Sequence, residues 1–148
     1  MELVELIHEE IIKTPLLAQN KPEAMRELVT ILYEARKIDD PGPVLDAIHA
    51  REEKASTGLE DGIAVPHART DKVKTLAMSI GISPQGVDFG AMDGKPSYLF
   101  FLLLAPPDQC GAHLEGLAGI AKLARCRTFC DSVIHAPSAQ KVVELFKE

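Results

Sequence analysis

A chain of 148 residues, 46% of them hydrophobic and 26% charged, is long enough to bury a substantial core and too apolar to stay disordered. Its net charge of −6, with no run of Lys or Arg, argues against binding a nucleic-acid backbone. The most apolar run, Tyr98–Ala105, is far shorter than the roughly 20 residues a membrane helix needs, so no direct membrane insertion is expected.

The first apolar residues, Leu3, Leu6, Ile7 and Ile11, share a helical face, which predicts a helix ending near Thr14-Pro15. A clearer helix opens at Pro22, with Met25, Leu28, Val29 and Leu32 as its stripe. Asp40-Pro41-Gly42-Pro43 breaks it. A second helix then begins near Pro43, carries Val44, Leu45 and Ile48, and ends in the charged run Arg51-Glu52-Glu53-Lys54.

Next comes a polar turn bracketed by Gly58 and Gly62, then Ile63-Ala64-Val65 and Pro66-His67. The β-branched run predicts a short strand that stops at the proline, which cannot donate to a sheet ladder. His67 is then expected at the strand's end, fixed by a rigid predecessor. From Leu76 to Ile82 the pattern alternates with period two, predicting a strand closed by a turn at Ser83-Pro84-Gln85-Gly86. Val87-Asp88-Phe89 is expected as a short edge strand, Asp93-Gly94 as a turn, and Ser97–Leu104 as a strand covered on both faces.

Helical spacing returns with Leu114, Leu117, Ala118, Ala121 and Ala124, His113 lying near that helix's first turn. A short helix around Thr128–Ile134 follows, and Ser138 is a candidate N-cap for a last helix with Val142, Val143 and Phe146 inward. The expected architecture is an α/β sandwich, a mixed sheet flanked by helices, in one domain over residues 1–148.

His67 is the sharpest candidate for chemistry. A lone histidine beside a strand is more often a hydrogen-bonded structural residue, but this one has polar, glycine-rich surroundings. A neutral imidazole can attack through one nitrogen while the other donates a hydrogen bond. Phosphoryl transfer then asks for little beyond in-line positioning and positive charge. His113 supplies a second imidazole, at a helix start that suits an anion. Arg51 could clamp a phosphate bidentately, although on local sequence alone a solvated arginine is the commoner case.

Other readings are weaker. Cys110-x-x-His113 resembles half a zinc motif, but no second half has the right spacing, and small buried cysteines account for Cys126 and Cys130. Gly90–Lys95 only imitates a phosphate loop, because its spacing is one residue short and Pro96 replaces the required Ser or Thr. No metal and no nucleotide cofactor is expected. Three cysteines behind an acidic N-terminus read as a reducing, cytoplasmic setting without a secretory leader. His8, His49 and His135 have no constellation around them.

Arg51-Glu52, then Ser56-Thr57-Gly58, then Gly62-Ile63-Ala64-Val65-Pro66-His67 resembles the signature of the fructose/mannitol-type enzyme IIA domain of the bacterial phosphoenolpyruvate-dependent sugar phosphotransferase system. His113-Leu114, with Leu117, Ala118 and Ala121 behind it, resembles that family's second histidine motif, so the likeness runs from the Pro22 helix to the final helix. The resemblance implies the mannitol-type IIA fold and a phosphoryl group carried on His67, at Nε2. Arg51 and His113 would neutralise its charge, with Ser56, Thr57 and Gly58 in the phosphate environment.

The implied partners are the carrier HPr or a paralogue as donor and a IIB protein or domain as acceptor, all separate proteins. The alternative within the family is a regulatory IIA of the nitrogen type, whose phosphorylation state controls binding to target proteins. The family's turn between the glycines usually holds a further glycine. Here it is Leu59-Glu60-Asp61, and the two carboxylates are expected to face solvent.

Overall fold

The computed structural model describes residues 3–148. In chain order the elements are β1 (Ile12–Lys13), α1 (Lys21–Glu34), α2 (Pro41–Lys54), β2 (Ile63–Ala64), β3 (His67–Arg69), β4 (Ala77–Val87), β5 (Ser97–Ala105), α3 (Cys110–Ala124), α4 (Arg127–Ile134) and α5 (Ala139–Lys147). They form the expected α/β sandwich, five α-helices around a mixed sheet. No helix among the described residues is long and apolar enough to cross a membrane.

Strand β5 is the axis of the sheet. Its one edge pairs antiparallel with β4, which pairs parallel with β1; its other edge takes β2 and then β3, both parallel. Leu99–Ala105 of β5 are buried, which is why that segment reads as an unbroken apolar run. Helix α1 covers one face, where Ser79 Oγ donates to the Leu28 carbonyl at 2.9 Å. On the other face Gly116 of α3 lies against Leu103, and Phe101 meets the Phe146 ring of α5 at 6.3 Å.

The caps follow from sequence. Asn20 caps α1 by accepting from the Glu23 N–H at 3.0 Å, and Ser138 caps α5 by accepting from the Lys141 N–H at 3.2 Å. Asp40 caps α2, which therefore starts at Pro41, two residues earlier than the sequence pattern suggests.

Four expectations need correction. The predicted N-terminal helix is two 3-10 turns, Leu3–Leu6 and Glu9–Ile11, because Ile12 and Lys13 are drawn into pairing with Ile80 and Gly81. Strand β4 runs through Ser83–Gly86 as a bulge: Ser83 Oγ accepts from the Gly86 N–H at 3.1 Å, and Val87 rejoins the ladder opposite Ser97. No separate edge strand forms at Val87–Phe89. On α3 the buried residues are His113, Gly116 and Ile120, whereas Leu114 is 66% exposed and Ala118 and Ala121 face solvent.

Candidate functional site

The path to His67 is built on hydrogen bonds to the edge of β5. Gly62, at φ +81, sits in a backbone region that favours glycine, and its carbonyl accepts from the N–H groups of Tyr98 and Leu99. Strand β2 then pairs with Leu99 and Phe100 and is interrupted at Val65-Pro66. The proline does not end the ladder. Its carbonyl accepts from Leu103 N–H at 3.0 Å, and β3 resumes with His67 opposite Leu103. His67 thus starts a second strand segment rather than closing the first.

The imidazole is fixed by the break. His67 Nδ1 lies 2.8 Å from the Val65 carbonyl oxygen. A carbonyl only accepts, so the proton of the neutral ring is on Nδ1 and Nε2 carries the free lone pair. Burial holds the His67 pKa below its ordinary 6.5, helped by the Arg51 charge and opposed by the Val65 hydrogen bond and the Glu52 carboxylate. The ring is therefore neutral, and nucleophilic at Nε2, near pH 7.

His113 comes from the opposite side, on the first turn of α3, with its ring centroid 5.5 Å from that of His67 in an edge-to-face arrangement. It is buried, and its Nε2 has no hydrogen-bond partner. Burial also holds its pKa low, with further contributions from His67 and Arg69. The two rings line one open cleft of about 780 Å³ together with Arg51 and Lys54 of α2, Arg69 of β3, and the apolar rim of Leu114 and Leu117. Arg51 is positioned by donating from Nη1 to the Ala55 carbonyl at 2.9 Å, which curls its guanidinium over the end of its own helix.

Among the described residues no carboxylate lines the cleft, and three cations do. Such a basket suits a small dianion.

Ser56, Thr57 and Gly58 lie in the loop before β2, outside that lining. Ser56 Oγ donates to the Phe89 carbonyl at 2.8 Å and accepts from Gly58 N–H at 3.1 Å. Thr57 N–H donates to both oxygens of the buried Glu52 carboxylate, and Thr57 Oγ1 is buried without a partner. Gly58 has no room for a side chain, since a Cβ would stand 2.9 Å from the Ala91 Cα. Glu60 and Asp61 are exposed and outside the cleft lining, with Asp61 3.8 Å from Arg127.

Two roles escape the motif reading, that of Arg69 and that of Glu52, which the motif includes without giving it a task. Arg69 could have been found from strand periodicity, because it is two residues beyond His67 and on the same face. Glu52 could not, because nothing local shows that a carboxylate in a charged run is turned inward. Cys110 also lines the cleft, where it accepts from Arg69 Nη1 at 2.8 Å; Cys126 is exposed and Cys130 buried. Among the described residues no three His, Cys, Asp or Glu side chains are grouped to hold a metal ion. The Gly90–Lys95 segment is a turn, in which Asp93 Oδ1 accepts from Lys95 N–H at 3.0 Å.

Comparison with known proteins bears on the family and the fold. Residues 5–148 match the family described as phosphoenolpyruvate-dependent sugar phosphotransferase system, EIIA 2. The chain is 33% identical over 138 residues to a fructose-specific EIIA component of Haloferax volcanii, covering 90% of each. It is 32% identical over 148 residues to a fructose-specific EIIABC component of Bacillus subtilis, spanning all of this chain and 23% of that protein's length. The crystal structure of the nitrogen regulatory protein IIA-Ntr from Neisseria meningitidis superposes with a TM-score of 0.89 at 29% identity, over 97% of this chain and 98% of that one. With a family match across residues 5–148 and this fold, the chain belongs to the EIIA type-2 family of the phosphoenolpyruvate-dependent sugar phosphotransferase system.

Proposed function

We propose that this protein is a phosphoryl carrier that accepts the group on His67 Nε2 from a phosphohistidine of HPr or a paralogue and passes it to a IIB protein or domain. The observation that carries the reading is the bare Nε2 of His67, fixed by Val65 in a cleft with His113 and Arg51 and no carboxylate. In the first step the N–P bond of the donor breaks, its imidazole keeping the electron pair, as the Nε2–P bond forms. The proton stays on Nδ1 throughout, donated to the Val65 carbonyl.

The phosphorylated imidazole is positive, and its hydrogen bond to Val65 strengthens accordingly. The Arg51 guanidinium offsets the phosphoryl charge. His113 Nε2, partnerless in the resting protein, gains an acceptor when protonated on that nitrogen. Ser56, Thr57 and Gly58 serve this site indirectly, by holding the loop that delivers β2 and His67. The name of the Bacillus relative, EIIABC, couples IIA with IIB and supports the choice of acceptor. The setting that fits such partners is the cytoplasm.

A second reading is regulatory: the same phosphoryl chemistry would switch binding to target proteins. It is favoured by the fit to the nitrogen regulatory IIA-Ntr structure over nearly the whole chain.

The test is incubation with enzyme I, HPr and labelled phosphoenolpyruvate. Acid-labile label is expected on the wild type and absent from His67→Gln. Label persisting on that variant, or never forming with either HPr or its nitrogen-type paralogue, would sink the assignment. Onward passage of the label to a IIB protein favours transport, and retention with altered partner binding favours regulation.

A further inference from the structure

We propose that Arg69 is a second phosphoryl-binding guanidinium of this cleft, held on the Cys110 thiol until an anion forms on His67. The inference rests on the carrier function above and adds a residue to it. His67 and Arg69 alternate along β3, so both side chains leave the same face of the strand, and both line the cleft with His113.

The resting contacts of Arg69 are poor for a guanidinium. Nη1 donates to Cys110 Sγ at 2.8 Å, and among the described residues its side chain makes no other hydrogen bond or ion pair. A thiol sulfur is a weak acceptor, while a guanidinium offers five N–H donors in a planar fork. No carboxylate in the cleft lining competes for them. A phosphoryl dianion on His67 Nε2 is a far stronger acceptor, and its oxygens match the fork bidentately. Exchange of the thiol for the phosphoryl group is therefore favourable. Arg69 is exposed on the outer end of β3, so its side chain can make that exchange without disturbing the core. Its charge already reaches the far wall of the site, where it helps to hold the His113 pKa down.

The experiment uses phosphoramidate as a small donor, which separates phosphoryl binding from the docking of a protein. The Nε2–P bond forms as the P–N bond of phosphoramidate breaks, and ammonia leaves with the electron pair. Wild type, Arg69→Gln and Arg69→Lys are compared for the rate of labelling, the lifetime of the phosphohistidine and the ³¹P titration of its phosphoryl oxygens.

Arg69→Gln should label about tenfold more slowly, as expected for loss of a charge-assisted pair. Its phosphoryl oxygens should titrate at higher pH, because the dianion has lost a cation. Arg69→Lys, which keeps the charge and loses the fork, should recover part of both. Equal rates, lifetimes and titrations in wild type and Arg69→Gln would overturn the inference and leave the carrier function standing. Slower transfer from phospho-HPr alone, with phosphoramidate labelling unchanged, would also overturn it and make Arg69 a docking residue. Failure of the wild type to take label on His67 from either donor would remove the carrier function and this inference together.

Discussion

Glu52 links the stability of the fold to the state of the site, and its removal gives the most quantitative check on both. Its side chain is 4% exposed, pairs with Lys21 Nζ of α1 at 3.0 Å and accepts from Thr57 N–H at 3.0 and 3.1 Å. One carboxylate at the end of α2 thus ties down the start of α1 and the loop that leads to β2. In Glu52→Ala the buried Thr57 N–H is orphaned, which costs about 1–3 kcal/mol. Loss of the Lys21 pair adds about 1 kcal/mol, since the lysine is 26% exposed and can rehydrate.

A total near 3 kcal/mol corresponds to a fall in Tm of about 6–12 °C for a domain of this size. Glu52→Gln keeps an acceptor for Thr57 and should lose about half as much. Thermal unfolding followed by circular dichroism measures both. A fall of less than about 2 °C in Glu52→Ala would refute the assignment of Glu52 as the tie. The same variants test the electrostatics. Glu52 favours the charged form of His67, so NMR titration of Glu52→Gln should show the His67 pKa lower still.

Further outcomes follow from the same geometry. His67 and His113 both have folded pKa values below the ordinary 6.5, so between those values the unfolded chain holds more protons. Their contribution to stability is complete above about pH 6.5, is lost as pH falls through that window, and is flat below it. Urea midpoints measured across the window should show a smaller drop in His67→Gln/His113→Gln than in wild type. Gly62→Ala should destabilise by about 1–3 kcal/mol, because φ is +81 and the new Cβ would lie 2.8 Å from Tyr98 Cδ2; an unchanged urea midpoint would contradict this. His113→Ala should stay folded by circular dichroism yet accept phosphoryl groups at least about tenfold more slowly, having lost a hydrogen-bond donor to the developing charge. A wild-type rate would reduce His113 to a packing residue.

Much of this protein is legible in one dimension. The Ser138 cap of α5, the buried run of β5 and the sandwich class all follow from local rules, because a helix stripe or an unbroken apolar strand has few ways to bury itself. The histidine and arginine motifs, taken with the family resemblance, name His67, His113 and Arg51. Their meeting in one cleft is a different kind of fact. It depends on β3 resuming after Pro66 along the edge of β5, through the proline's carbonyl rather than its missing N–H.

Tertiary structure also decided which face of α3 turns inward. Gly116 allows close approach to Leu103 and brings His113 in with it, leaving Leu114 on the rim despite its greater hydrophobicity. Likewise Ile12 and Lys13 leave the helical pattern because β4 offers them a ladder. Local sequence determines which conformations a segment can adopt at low cost. Partners distant in the chain, each supplying a hydrogen bond or a space that only the folded sheet provides, decide which of them is adopted and which side chains face the cleft.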